Sequence, residues 1–557
     1  MKAPASPRRS RQRGSVMIMF TLSLPAMLGL IGMAVDGTIM YIVQAKLSAA
    51  VDGAALGAGR LLGTNANTTE IAGEFLKANF CGYECSTPTG STGVWGSYNL
   101  TPTISFTNNL GTYTIAINAT VQVPLLFLRA LPKLIPQTSQ TVAASATATR
   151  RAVRTIMVLD RSGSMAGTPF SWMQSGAESF AANFLPGTDE VGLVMLEASA
   201  IVAYPTTYPL VYPPVMTTGG PDTNFNTSSD PPTGPLSTAL AAMTAGGGTG
   251  TPEALALAYI LLQQAHNRDL AANGVDNMLN SILLFTDGLP DTISISPNST
   301  QVWNVSTNAY MATTPVIKST SGCKYTSTST PADTMMGSLV ASGSNPPWGS
   351  SYGLFLLSGY YQGSGTGLSW WEANPGNGNL GTGDLVESHP TAALTNCSYL
   401  GNGGGTSSFS TPGQDLTRVP AYTTYGVSTD GTNYQYSSLN LPNGTSTSPY
   451  SAGSYNPANI DSAGNTVGIA AWNATDNIGN TIRSQTAMNQ ITIYAIGYSG
   501  NGGVDAGLLN RLANTPQALP SGSVSGQPVG QYVQVDSAEQ LSSAFQLIAS
   551  YILHLSH

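Results

Sequence analysis

"TIMVLDRSGSMAG", residues 155–167, leads an apolar run into Asp160 and then sets Ser162 and Ser164 at alternate positions. A continuous apolar run is the mark of a strand covered on both faces, so the segment predicts a central parallel strand ending at Asp160. In open α/β sheets that C-terminal edge is where ligands bind. One carboxylate and two hydroxyls on alternate residues of a turn converge on one point. Hard oxygens at close range suit Mg2+, with Mn2+ or Ca2+ as substitutes.

Two enzymatic readings of the same stretch fail. A haloacid-dehalogenase-type phosphotransferase needs a second Asp two residues after the first, where this chain has Ser162. A nucleophile elbow needs G-x-S-x-G, and "GSMAG" carries its Ser one position early. No base or nucleophile stands beside the carboxylate, so binding rather than catalysis is expected and the protein is read as not an enzyme. The four histidines, at 266, 389, 554 and 557, form no ligand spacing.

Two further segments complete the pattern. "AGGGTGTPEALALAYILLQQA", residues 245–265, is a Gly-rich loop with Thr249 and Thr251 leading into a helix, and "SILLFTDG", residues 281–288, is a second apolar strand ending at Asp287. In this order the three elements resemble the von Willebrand factor A domain and its metal-ion-dependent adhesion site. The resemblance implies one metal held by Asp160, Ser162, Ser164, Thr249 and Asp287. Thr249 is chosen because the family uses the first Thr of its T-x-T. The two Ser would bind the ion directly, the Thr would join when a ligand is engaged, and the Asp residues would act directly or through water. A partner protein's carboxylate would then fill an open position on the ion. As a residue at the rim of the sheet, Asp160 is expected to cost the fold little when removed.

The rest of the expected fold follows outward. "WMQSGAESFAANFL" reads as the first helix, "EVGLVMLEA" as the second strand and "LSTALAAM" as a short helix. After about residue 466, "AAWNATDNIGNTIRSQ", "ITIYAIGYSG", "AGLLNRLAN", "YVQVD" and "SAEQLSSAFQLIASYILHL" alternate helix and strand and close a doubly wound sheet. Residues 298–466 interrupt it with Gly, Ser, Thr, Asn, Pro and Tyr. A connection this long is a functional insertion or an added small domain, and clusters such as "GYYQGSGTGLSWWE" point to some packed β structure.

The N-terminus has another character. Lys2, Arg8, Arg9, Arg11 and Arg13 precede "SVMIMFTLSLPAMLGLIGMAV", residues 15–35, an uncharged stretch about long enough to cross a bilayer. The positive-inside rule leaves residues 1–14 as a cytoplasmic tail and places the bulk of the chain outside the cytoplasmic membrane. The rival reading, a cleaved signal peptide, meets an apolar stretch longer than the usual h-region and no clear A-x-A site, and exports the bulk of the chain as well. Ile39, Val43, Leu47 and Val51 then recur every four residues, predicting a helix that continues with a packing stripe. "EIAGEFLKANF" predicts a second helix, and "TPTISF", "TYTIAINATVQV" and "SQTVAASATA" alternate as half-buried strands. Residues 36–150 are therefore expected to form a small α+β, pilin-like domain, with 151–297 and 467–557 forming the A domain.

The segment "RQRGSVMIMFTLSLPAMLGLIGMAVDGTIMYIVQAKLSAAVDGAALGAGRLL" resembles the N-terminal part of the TadE/TadG-like proteins of the Tad (tight adherence, Flp) pilus system, as do "VPLLFLRALP" and "ASATATR". One departure is plain: the prepilins of that system carry Glu five residues after the cleavage Gly, and here Met19 stands five after Gly14. Processing by a prepilin peptidase is not expected.

Composition agrees with an exported binding protein. Charged residues make up only 9% of the 557, against about 25% in an ordinary soluble domain, and the net charge is -8. Nothing offers nucleic acid a basic surface. Four cysteines fit export and allow three pairings, of which the local one, Cys81 with Cys85 and Cys323 with Cys397, is preferred because it keeps each bridge within one domain. The function expected is a membrane-anchored Tad/Flp pilus assembly or tethering protein that grips a protein partner, pilus subunits among the candidates, through the metal site. The alternative is a stand-alone surface adhesin that uses the same site on a host, matrix or cell-surface ligand.

Overall fold

The computed structural model describes residues 13–59, 62, 67–81, 91–93, 96–127, 138–197, 200–205, 216, 219–229, 232–246, 248–296, 299–316, 324–325, 337–341, 353–356, 359–362, 368–371, 394–395, 406–408, 418–431, 465–500, 504–518 and 522–554. The chain divides into two compact units, residues 1–150 and 151–556.

In the first unit, helix α1 (Arg13–Gly59) runs unbroken from the uncharged stretch into the four-residue stripe. Ile39, Val43, Leu47 and Val51 are buried, and Ala50, Ala54, Ala55 and Ala58 complete that face. The small residues have a steric reason. Helix α2 (Thr68–Cys81) crosses so closely that a Cβ on Gly57 would stand 3.1 Å from the ring of Phe75, and one on Gly53 2.9 Å from Asn79 Nδ2. Strands β1 (Ser91–Gly93), β2 (Gly96–Asn109), β3 (Thr112–Pro124) and β4 (Ser139–Arg151) form one sheet in that order. Ile115, Ile117, Ala119, Val121 and Val123 alternate inward against the helices, as the period of two requires.

In the second unit, β5 (Val153–Asp160) is buried along its whole length. Around it stand α3 (Thr168–Ala181), β6 (Glu190–Leu196), β7 (Ala200–Tyr204), α4 (Pro235–Ala242), α5 (Thr251–Asn273), β8 (Leu279–Thr286), α6 (Asn465–Ser484), β9 (Ile491–Tyr498), α7 (Ala506–Leu512), β10 (Tyr532–Val535) and α8 (Leu541–His554). The sheet order is β10-β9-β8-β5-β6-β7. All pairs are parallel except β6 with β7. Ile156 and Val158 of β5 face a core built with α5, α6 and α7, whereas Met157 and Leu159 face one built with α3, α4 and α8. This is the doubly wound α/β arrangement expected from sequence. The antiparallel edge strand β7, "AIVAY", is an addition to it.

The long interruption enters the same core. Residues 251–265 of α5 are all buried. Part of their cover comes from Val305, Val316, Val419, Tyr425 and Val427, which belong to the segment read as insertion. Gln263 Nε2 donates to the Val305 carbonyl at 2.8 Å, and Asn473 Nδ2 to that of Thr429 at 2.9 Å. Further along, an antiparallel sheet joins Thr292–Ile295, Gly337–Ala341, Gly353–Leu356 and Thr406–Ser408, and the Tyr/Trp-rich stretch forms a hairpin pairing Gly359–Gln362 with Leu368–Trp371. Cys81 is disulfide-bonded. Cys85, Cys323 and Cys397 lie outside the described residues, as do the basic residues before Arg13.

Candidate metal centre

Three connections meet at the C-terminal edge of β5, and one arginine ties them together. The Arg161 amide donates to the Leu196 carbonyl at 3.0 Å, which extends the β5–β6 pairing by one residue. Its guanidinium donates to Glu197 Oε2 at 2.5 Å and to the Thr244 carbonyl at 3.1 Å. The Gly246 amide returns a bond to the Arg161 carbonyl at 2.6 Å, and the Gly250 amide one to the Glu197 carbonyl at 2.5 Å. The Gly-rich loop is thereby pinned beside the D-x-S-x-S turn. Met165, inside a one-turn 3-10 helix at Gly163–Met165, plugs into the core and anchors the turn from below.

Within this frame Asp160, Ser162, Ser164 and Asp287 come together. Asp160 Oδ1 accepts the Ser162 amide at 2.7 Å, and Oδ2 accepts the Thr286 hydroxyl at 2.5 Å. The hydroxyls of Ser162 and Ser164 are 2.9 Å apart. Asp287 Oδ1 accepts Ser164 Oγ at 2.8 Å and Ser162 Oγ at 3.4 Å. Thr249 lies alongside, since a Cβ built on Gly288 would come 3.2 Å from its Oγ1. Thr251 sits apart, as the first residue of α5, with a buried hydroxyl that finds no partner. Of the histidines, His266 lies on α5 with Nδ1 2.8 Å from Asp276 Oδ2, away from this edge.

Asp160 is not a rim residue. It is 0% exposed and both its oxygens hold hydrogen bonds that keep the turn in shape, so the expectation that its loss costs little is corrected. Thr286, which flanks Asp287 in the sequence, and Asp291 stand outside the five predicted ligands. Asp291 Oδ1 accepts the Thr249 amide at 2.6 Å and the Thr292 hydroxyl at 2.7 Å, which fixes the Thr loop against β8. The available signal was its place four residues after Asp287, in the loop that leaves the same strand edge.

The cluster crowds buried carboxylates together. Burial pushes the Asp160 carboxyl up from its ordinary value. Burial, followed by repulsion from Asp160, pushes Asp287 up to about 7. Burial also raises Asp291 to about 6. Like carboxylates crowded in a low dielectric are costly unless a proton or a metal ion neutralises them. Asp287 Oδ2 is buried and has no hydrogen-bond partner, an orphaned acceptor in the middle of the cluster. Among the described residues no three His, Cys, Asp or Glu side chains are grouped to hold a metal. The donor set here is two carboxylates and three hydroxyls, all hard oxygens, and it fits Mg2+.

Five parallel strands, an antiparallel edge strand, a D-x-S-x-S turn at the end of the central strand and a Thr loop against Gly288, the neighbour of Asp287, occur around one sheet. The second unit has a von Willebrand factor A fold. Outside this A domain, residues 14–61 match the family model described as "Putative Flp pilus-assembly TadE/G-like". No curated protein matches the sequence. Among solved structures, the chain is similar to the PilB minor pilin from Streptococcus sanguinis at 12% identity, covering 83% of this chain and 79% of that one, with a TM-score of 0.31. It is also similar to the vWF domain of the type V pili tip protein Mfa5 from Porphyromonas gingivalis at 15% identity, covering 73% and 97%, with a TM-score of 0.30. The pilus adhesin SpaC from Lactobacillus rhamnosus GG is similar at 13% identity, covering 85% and 35%, with a TM-score of 0.31. At these scores the likenesses carry no weight beside the strand order and the site of the A domain itself.

Proposed function

We propose that the chain is a Tad/Flp pilus assembly or tethering protein held in the cytoplasmic membrane by α1, whose extracytoplasmic A domain binds a protein partner through Mg2+. Asp160, Ser162, Ser164, Thr249 and Asp287 would hold the ion. A bound divalent ion supplies an open coordination position that a partner's carboxylate can fill. The observation that carries this reading is Asp287 Oδ2, a buried carboxylate oxygen with no partner beside a second buried carboxylate. The TadE/G-like match at residues 14–61 supports the pilus context.

The test is binding of purified Tad pili to the full chain in detergent, with Mg2+, with chelator, and with Mg2+ restored. Binding should appear only with the ion, and Asp287→Asn should weaken it by at least about tenfold, roughly 1.4 kcal/mol. Capture of pili that survives both chelator and Asp287→Asn would sink the metal-site reading. Metal-dependent binding to a foreign surface, without binding to pili, would favour the stand-alone adhesin.

A further inference from the structure

The first unit holds a feature that neither the A domain nor the metal site uses. Leu126 and Phe127, just after β3, are 47% and 51% exposed, two large apolar side chains side by side in irregular backbone. Their amides are nonetheless fully bonded within the unit. Asp36, on α1 and only 2% exposed, accepts the Leu126 amide on Oδ1 at 3.0 Å and the Phe127 amide on Oδ2 at 3.1 Å. The preceding amide, Leu125, donates to the Thr138 carbonyl at 3.0 Å. The contact with α1 is tight: a Cβ on Gly32 would come within 2.8 Å of Phe127 Cβ.

Position on the helix gives this arrangement its meaning. Met17, Met19, Phe20, Leu24, Met27, Leu30, Ile31, Met33 and Val35 of α1 are exposed, whereas from Ile39 onward the helix buries a stripe inside its own unit. A window within Gly29–Gly59 is long and apolar enough to cross a membrane, yet its later part is engaged by protein, which leaves the earlier half of α1 for lipid. Asp36 is the first acidic residue after the uncharged stretch and marks where that half ends. Leu126 and Phe127 are hooked to α1 here, bonded to Asp36 and lying against Gly32, the two positions that bracket the exposed Met33 and Val35. Irregular backbone at membrane depth is tolerated only where its polar groups are satisfied by protein. A turn facing water would need no carboxylate for its amides; one facing lipid would.

We infer that Leu126 and Phe127 form a second membrane contact, inserted into the outer-leaflet interface of the bilayer beside α1, with Asp36 as the acceptor that lets the turn enter it. The occupant is lipid, because the turn is held against α1 at Gly32 and Asp36, where the exposed apolar half of the helix ends. This rests on the reading of α1 as the membrane anchor. The consequence is orientational, since one helix fixes a protein to a membrane but leaves its tilt free, and a lateral contact at the exit point restricts that tilt.

The test uses the full chain in phosphatidylcholine vesicles, with Phe127→Trp compared against Leu110→Trp, a second exposed apolar position in the β2–β3 turn. The seven native tryptophans form a constant background. With brominated lipid, the emission added by Phe127→Trp should be blue-shifted and largely quenched, and that added by Leu110→Trp should be unaffected. Leu126→Trp should repeat the Phe127→Trp result if that variant misfolds. Combining Asp36→Ala with Phe127→Trp should shift the added emission to the red and relieve its quenching. If the chain floats with the vesicles but the emission added by Leu126→Trp and by Phe127→Trp stays unquenched and unshifted, the second contact is wrong and the anchor stands. Blue-shifted but unquenched emission would assign the patch to a protein partner and overturn the inference. If the chain does not float, the anchor fails and the second contact fails with it.

Discussion

Asp160 and Asp287 both belong to the carboxylate–hydroxyl cluster proposed to hold Mg2+, yet they should respond differently to substitution. Asp160→Ala strands the Ser162 amide and the Thr286 hydroxyl in a buried place, which costs about 1–3 kcal/mol whether or not metal is present. Asp287→Asn removes one of two crowded like charges and should leave the metal-free fold at least as stable. What it should lose is the metal response, because an ion present at 100 times its dissociation constant stabilises the native state by about 2.7 kcal/mol. Urea unfolding of the two variants and the parent, with and without Mg2+, reads both effects; an undiminished Mg2+ shift in Asp287→Asn would exclude it as a ligand. A separate carboxylate contributes to acid stability. Burial alone would raise Asp276, but the bond from His266 and the charge of Arg154 outweigh it and hold the group down at about 2, below its ordinary 3.8. A depressed acid stabilises the fold above its unfolded pKa, so this contribution, about 2 kcal/mol, is whole above pH 4 and lost as pH falls through about 2. Asp276→Asn should flatten the stability profile in that window, as measured by urea midpoints against pH.

The central strand β5 carries the buried Asp160 carboxylate at one end and, near the other, a cation with no access to water. Arg154 is 0% exposed and bonds Glu190 of β6 at 2.6 Å, Asp276 at 3.0 Å and Asp269 of α5. It thus ties β5 to its neighbours where no apolar side chain could satisfy three carboxylates. Arg154→Met should destabilise the second unit by about 3–5 kcal/mol, because a buried charge left without its partner is penalised more than the pair was worth; a loss under about 1 kcal/mol in urea unfolding would contradict this role. Elements were legible in proportion to their periodicity. β5 and β8 announced themselves as continuous apolar runs, and the stripe of α1 by its spacing of four. β7 did not, because five residues at a sheet edge carry too short a pattern. Helix α3 begins at Thr168 rather than Trp172 because Pro169, in its first turn, needs no amide partner there.

At the scale of the molecule, the basic N-terminus and the uncharged stretch predict a topology that cells can report. Protease added outside should digest the chain beyond about residue 36 and spare a tag at the N-terminus; a protected C-terminus would overturn it. By itself the sequence determined the apolar stretch and its flanking charges, the alternation of helix and strand in both units, and the presence of Asp160, Ser162, Ser164, Thr249 and Asp287 at strand ends and loops. These follow from local rules, since hydrophobic period and chain direction are set by neighbours in sequence. Only the tertiary structure decided that Asp160 is buried, that Asp287 keeps an oxygen without a partner, that Asp291 holds the Thr loop, and that residues read as insertion cover α5. It also decided that Asp36 closes on Leu126 and Phe127, 90 and 91 positions away. Burial and hydrogen-bond partners depend on which distant segments meet, and a linear pattern holds no record of that meeting.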